Sequence, residues 1–132
     1  MQKKERGTIS IETVFFIIIF AVTFFGGVEL ARGVALRHAL DTGTWEATRY
    51  LSIHPGDWSG ADNIIRQAVS RSPLGSGYAS QVSVTVNMPS SAFGEQFSVT
   101  ASVPFQATIP LVGSLSQRTL TSEHTLRIEA YP

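Results

Sequence analysis

Residues 9–28 are apolar on every side of a helix. Apart from glycines, only Ser10, Glu12, Thr13 and Thr23 are clearly polar there. Twenty residues at 1.5 Å each span about 30 Å, the thickness of a bilayer core. A helix in the core of a water-soluble domain usually keeps a polar side, and residues 14–22 keep none. The pattern therefore predicts a transmembrane helix over residues 8–30. Helical spacing then continues. Leu30, Val34, Ala35 and Ala39, with Ala31, Leu36 and Leu40, fall on one broad side, while Arg32, Arg37, Asp41 and Glu46 mostly face elsewhere. Glu46 and Arg49 stand at the spacing of a helical charge pair. Gly27, Gly33 and Gly43 weaken this helix without ending it; Pro55 and Gly56 end it. The expectation is one helix of about 45 residues, roughly 65–70 Å long, with residues 31–54 as its continuation outside the membrane.

Past Pro55 the texture changes. Asp57 and Ser59 are cap candidates, Ile64, Ile65, Ala68 and Val69 line one face, and Pro73 closes a short amphipathic helix. Residues 73–80, PLGSGYAS, read as loop. The period then switches to two. Val82, Val84, Val86 and Met88 alternate with polar residues, and after a turn over 89–94 so do Phe97, Val99, Ala101, Val103 and Phe105. Pro104 lacks a ladder donor, which predicts an edge or a bulge at that point. Residues 109–115, IPLVGSL, read as a loop with apolar anchoring. A last strand sets Leu120, Ser122, His124, Leu126, Ile128 and Ala130 on one side. A lone three-stranded antiparallel sheet needs a cover, and the two helices can provide it. The fold class is α+β, with residues 55–132 as one extracytoplasmic domain at the end of the long helix.

Charge sharpens this picture. The 132 residues carry no net formal charge and only 15% are charged, which excludes an electrostatic nucleic-acid binder. Lys3, Lys4 and Arg6 precede the apolar run, and no further Lys or Arg occurs before Arg32. By the positive-inside rule the N-terminus is cytoplasmic and the remainder crosses. There is no cysteine, so disulfides and thiolate metal sites are excluded.

Candidate chemistry is sparse. His38, His54 and His124 are scattered without ligand spacing, though His38 and Asp41 can share a helix face. No serine sits in a nucleophile elbow, and GSG at 75–77 is a flexible loop rather than a phosphate cradle. No catalytic residue, metal site or cofactor is expected. Gly27, Ala31 and Ala35 form a small-residue stripe suited to close helix packing in a membrane. Trp45 and Trp58 fit either a core or a contact surface.

A basic start before an apolar run also describes a secretory signal, but Glu29 stands where cleavage after Ala31 wants a small neutral residue. A short basic leader over residues 1–7, then Gly7, then an apolar helix with Glu12 five residues on, resembles a prepilin leader of the type IV pilin superfamily. Arg6, Gly7, Glu12, Glu29 and Arg32, followed by Ala47, Arg49 and Tyr50, resemble more narrowly the first fifty residues of TadE-like minor pilins of the tight-adherence pilus. The resemblance implies a cut between Gly7 and Thr8 by a prepilin peptidase. It also implies that Glu12 serves peptidase recognition and subunit register by meeting the new terminal amine. Implied partners are the membrane, the peptidase, other pilin or pseudopilin subunits and the pilus assembly machinery. The implied location is the bacterial inner membrane, single-pass, with incorporation into an adhesion pilus. Thr13 stands where the family's major subunits carry Tyr after the Glu, and the outer domain is large; both point to a minor pilin or assembly factor, TadE-like or TadF-like. An unprocessed, membrane-anchored binding domain is the alternative.

Overall fold

The computed structural model describes residues 3–73, 75–107 and 117–130, with side chains from residue 10 onward. The first helix, α1, runs unbroken from Lys3 to Ile53. Its 51 residues amount to about 75 Å. It includes leader residues 3–7 as well as the apolar run, so the expected boundary between leader and span is not a break in backbone structure. It ends just ahead of Pro55, and Gly56 takes the positive φ of 96° that the following turn demands. The second helix, α2 (Trp58–Arg71), starts at Asp57, whose carboxylate accepts from the Gly60 backbone N–H at 3.0 Å. A 3₁₀ turn at Ala79–Gln81 leads into β1 (Ser83–Asn87), β2 (Gln96–Phe105) and β3 (Arg118–Arg127).

The strands form one antiparallel sheet in the order β1-β2-β3. Ser83 pairs with Ser102 and Asn87 with Ser98; on the other side Gln96 pairs with Arg127 and Phe105 with Arg118. The architecture is the expected α+β, a long helix, a short helix and three antiparallel strands. β2 is central rather than an edge, yet the edge expected at Pro104 is real locally: β1 reaches only as far as Ser102, leaving that end of β2 with one neighbour. The IPLVGSL loop and Tyr131 lie outside the described residues.

One face of the sheet packs on the second half of α1. Phe97, Val99, Ala101 and Val103 from β2 and Ile128 just past β3 meet Leu36, Leu40, Ala47 and Leu51, and α2 adds Ala61, Ile65 and Val69. Thr44, Thr48 and Ser52 are also buried on α1. Their hydroxyls donate to backbone carbonyls one turn back: Thr44 to Leu40, Thr48 to Thr44 and Ser52 to Arg49. Gly43 lies where the two helices meet. A Cβ there would stand 2.8 Å from the Ala68 Cβ and 3.2 Å from the Ile65 Cα, so the glycine sets how closely the helices approach. At the end of α1 the Ser52 carbonyl accepts from the Glu129 and Ala130 N–H groups, at 2.8 and 3.0 Å. This satisfies one of the carbonyls a helix end leaves open.

The buried side of α1 differs from the sequence expectation. Leu30 and Val34, expected on the same broad side as Leu36 and Leu40, are 70% and 60% exposed, and Ala31 is also exposed. The domain instead covers Leu36, Leu40, Gly43, Thr44, Ala47, Thr48 and Leu51. Arg32, expected to face away, is half-buried. The covered residues recur at helical spacing on one side, from which Val34 stands nearly opposite Leu36, and at Gly43 the approach of α2 leaves no room for a side chain. Glu46 and Arg49 do not form the ion pair their spacing suggests, and both are exposed.

Candidate functional site

The first half of α1 is the candidate site. It is long and apolar enough to cross a membrane, and its most apolar window is covered by none of the other described residues. Large side chains project from all around it, among them Ile11, Phe15, Phe16, Ile19, Phe20 and Phe25. Phe16, Phe20 and Phe24 stack along one edge at i, i+4 spacing, with ring centroids 6.3 and 5.9 Å apart.

Gly7, Thr8 and Glu12 share this one helical backbone, so Glu12 lies about 6 Å along the axis from Thr8. Glu12 is exposed. The backbone at Gly7 and Thr8 is helical rather than extended. They lie in the first two turns of the described helix, and Gly7 has a low helix propensity, so unwinding there costs less than in the middle of the helix. Gly27, Ala31 and Ala35 recur every fourth residue on one side of α1. Gly27 has no neighbouring atom within 4 Å of where a Cβ would stand, and Ala31 is exposed. Ala35 is partly covered by the end of α2, where the Ser72 hydroxyl reaches its carbonyl at 3.4 Å. The stripe is therefore open over its first two positions and engaged at the third.

Two polar clusters follow the apolar run. Arg32 donates to Glu29 at 2.8 Å one turn away, with only 12% of the Glu29 side chain exposed. The acidic residue and the arginine named in the sequence thus pair at the point where α1 leaves its uncovered half. Farther on, Asp41 accepts from the Ser122 hydroxyl at 2.7 Å and stands 3.0 Å from His124 Nε2, joining α1 to β3. These bonds, Ser122 first and His124 second, hold the Asp41 carboxyl below its ordinary value, with the charges of His124 and His38 adding to them. Trp45 leans edge-on against His124, with centroids 5.6 Å apart. Serine and histidine both address the same carboxylate oxygen, which makes a staple between helix and strand; a nucleophile pair would need the imidazole to take the serine proton. Sequence reading placed Asp41 with His38 and missed this cluster. The available signal was two polar residues, Ser122 and His124, on the otherwise apolar side of β3.

Trp45 and Trp58 are 44% and 47% exposed, so neither is a core plug. Among the described residues no three His, Cys, Asp or Glu side chains stand together as a metal site. Tyr50 donates to Asp57 at 2.5 Å and stacks on His54, closing the corner between the helices. No family model, curated protein or solved structure matches the chain.

Proposed function

We propose that the chain is a single-pass membrane protein of the minor-pilin kind, TadE-like or TadF-like, which serves as a building block rather than an enzyme. A prepilin peptidase cuts it between Gly7 and Thr8, and it takes part in assembling a tight-adherence pilus. The reading is supported above all by one continuous helix whose first half is bare and apolar while its second half is the spine of an α+β domain. The basic residues before the run favour a cytoplasmic N-terminus and an extracytoplasmic domain. After cleavage Thr8 carries an ammonium group. Glu12, an exposed carboxylate one turn inside, pairs with that amine on its own chain or on a neighbour, which offsets the cost of placing a charge at the bilayer edge.

The runner-up, an unprocessed anchor carrying a binding domain, draws on the helical backbone at Gly7 and Thr8, which must unwind before a peptidase can hold it. Mass spectrometry of the membrane-retained chain separates the two: a first residue of Thr8 supports processing, and an intact Met1 supports the anchor. A soluble product released by a cut after a residue within 27–35 refutes both. Replacing Gly7 with a bulky residue blocks the cut. Glu12→Ala leaves the protein in the membrane and reduces piliation; normal piliation removes the register role.

A further inference from the structure

The two ends of the α+β domain stand at very different distances from the apolar half of α1. Phe105, the last residue of β2, lies against Gly33; a Cβ at Gly33 would stand 3.4 Å from its ring. Tyr78 stacks obliquely on Phe105, with centroids 6.1 Å apart, and Arg118, the register partner of Phe105, is exposed at the same end of the sheet. The opposite end, where Ser52 meets Glu129 and Ala130, is roughly 30 Å farther along α1.

The uncharged run between Glu12 and Glu29 holds sixteen residues, about 24 Å of helix. Counted from Ile9, one turn before Glu12, the run to Val28 spans about 30 Å, a full hydrocarbon core, so the core ends near Glu29. Gly33 is only about 6 Å beyond Glu29 along the axis, and each headgroup layer is itself about 5–7 Å deep. A helix tilt of about 20° shortens these projections little. Leu30 and Val34 are strongly exposed at this level, on the side of α1 away from the domain. They continue the apolar surface of the first half without a break.

We infer that the end of the domain formed by Gly33, Tyr78, Phe105 and Arg118 rests in the lipid headgroup layer of the bilayer that α1 enters. The domain then stands on the membrane rather than on a stalk. This rests on the reading of α1 as a membrane span. Tyr and Phe belong in such a layer, with rings toward the acyl chains and the phenol toward water. The Arg118 guanidinium reaches lipid phosphates, and Leu30 and Val34 are covered by lipid instead of protein.

Because the chain has no cysteine, single cysteines can be spin-labelled without background. The full-length protein is reconstituted in vesicles of phosphatidylethanolamine and phosphatidylglycerol, carrying P104C, G77C, S91C or V22C. Pro104 and Ser91 are exposed and Gly77 has open space around it, so these labels leave the core intact. Power-saturation measurements then compare access to oxygen, which enriches in lipid, with access to a water-soluble nickel chelate. Labels at 104 and 77 are expected to show a clear shift toward oxygen relative to 91, intermediate between 91 and 22. If 104 and 77 are as aqueous as 91 while 22 is in hydrocarbon, the inference falls and the span stands. If 22 is aqueous too, both fall. Spin–spin broadening at 104 and 77 without raised oxygen access assigns this surface to a second copy and overturns the lipid assignment.

Discussion

The two halves of α1 have the same backbone and opposite surroundings. In the first half Phe, Ile and Val point outward on all sides and are covered by none of the described residues beyond their own helix. In the second half the inward side carries Leu, Ala, Thr and Gly, each packed by α2 or the sheet. The bulkier and more apolar half is thus the one that contributes least to the protein's own core. Apolar surface drives association with whatever apolar phase is available, whereas a packed interface additionally requires shapes that interlock. The first half is shaped for a fluid solvent that adapts to it, and the second for a fixed partner.

Paired substitutions test that contrast, the largest effect first. Phe97→Ala is expected to remove about 3–5 kcal/mol from a domain whose whole stability is of order 5–15 kcal/mol, because Phe97 is almost completely buried. Phe20→Ala, at an exposed ring of the first half, leaves urea unfolding of the domain unchanged. Equal losses at both positions would break the comparison. Next comes a pair of glycines. Gly43→Val is expected to cost about 1–3 kcal/mol by forcing α1 and α2 apart. Gly27→Val, in open space, leaves the midpoint in place.

The acid limb of stability gives a smaller and directional effect. Asp41 titrates below its ordinary value of 3.8 because Ser122 and His124 bond to its charged form. A carboxyl with a depressed folded-state pKa contributes stability above its unfolded value, and that contribution disappears as pH falls through the folded value. The loss therefore begins near pH 3.8 and completes below it. Asp57, lowered by Tyr50, Gly60 and Ser59, acts in the same direction. Asp41→Asn flattens part of this limb, as read by denaturant midpoints across pH. The first half of α1, with no such staple, keeps its membrane retention over the same range. The smallest effect is expected at Asp62, whose pair with Arg66 is only about a third exposed but whose loss leaves Arg66 its second bond, to the Ala79 carbonyl; Asp62→Asn shifts stability by no more than about 1 kcal/mol.

Much of this was legible before folding. The clean alternation of Val82 to Met88 and of Phe97 to Phe105 placed both strands and their inward sides, since a side chain on a strand has only two faces to choose from. Asp57 announced the start of α2, and Pro55 with Gly56 the end of α1. The polar contacts were not legible. Ser122 and Asp41 are 81 positions apart in the chain, and no local spacing rule joins them. Gly7, Thr8 and Glu12 were named from a motif; Thr8 and Glu12 were expected on the long helix, and that the same helix also carries Gly7 came only with the structure.

The sequence by itself determined that a long apolar helix precedes a small α+β domain, because periodicity and the length of an uncharged run are properties of the chain alone. Only the tertiary structure decided which side of that helix the domain covers. Leu30 and Val34 fall off the side of the helix that carries Leu36, Leu40, Gly43, Thr44, Ala47, Thr48 and Leu51, and at Gly43, where α2 meets α1, there is no room for a larger side chain.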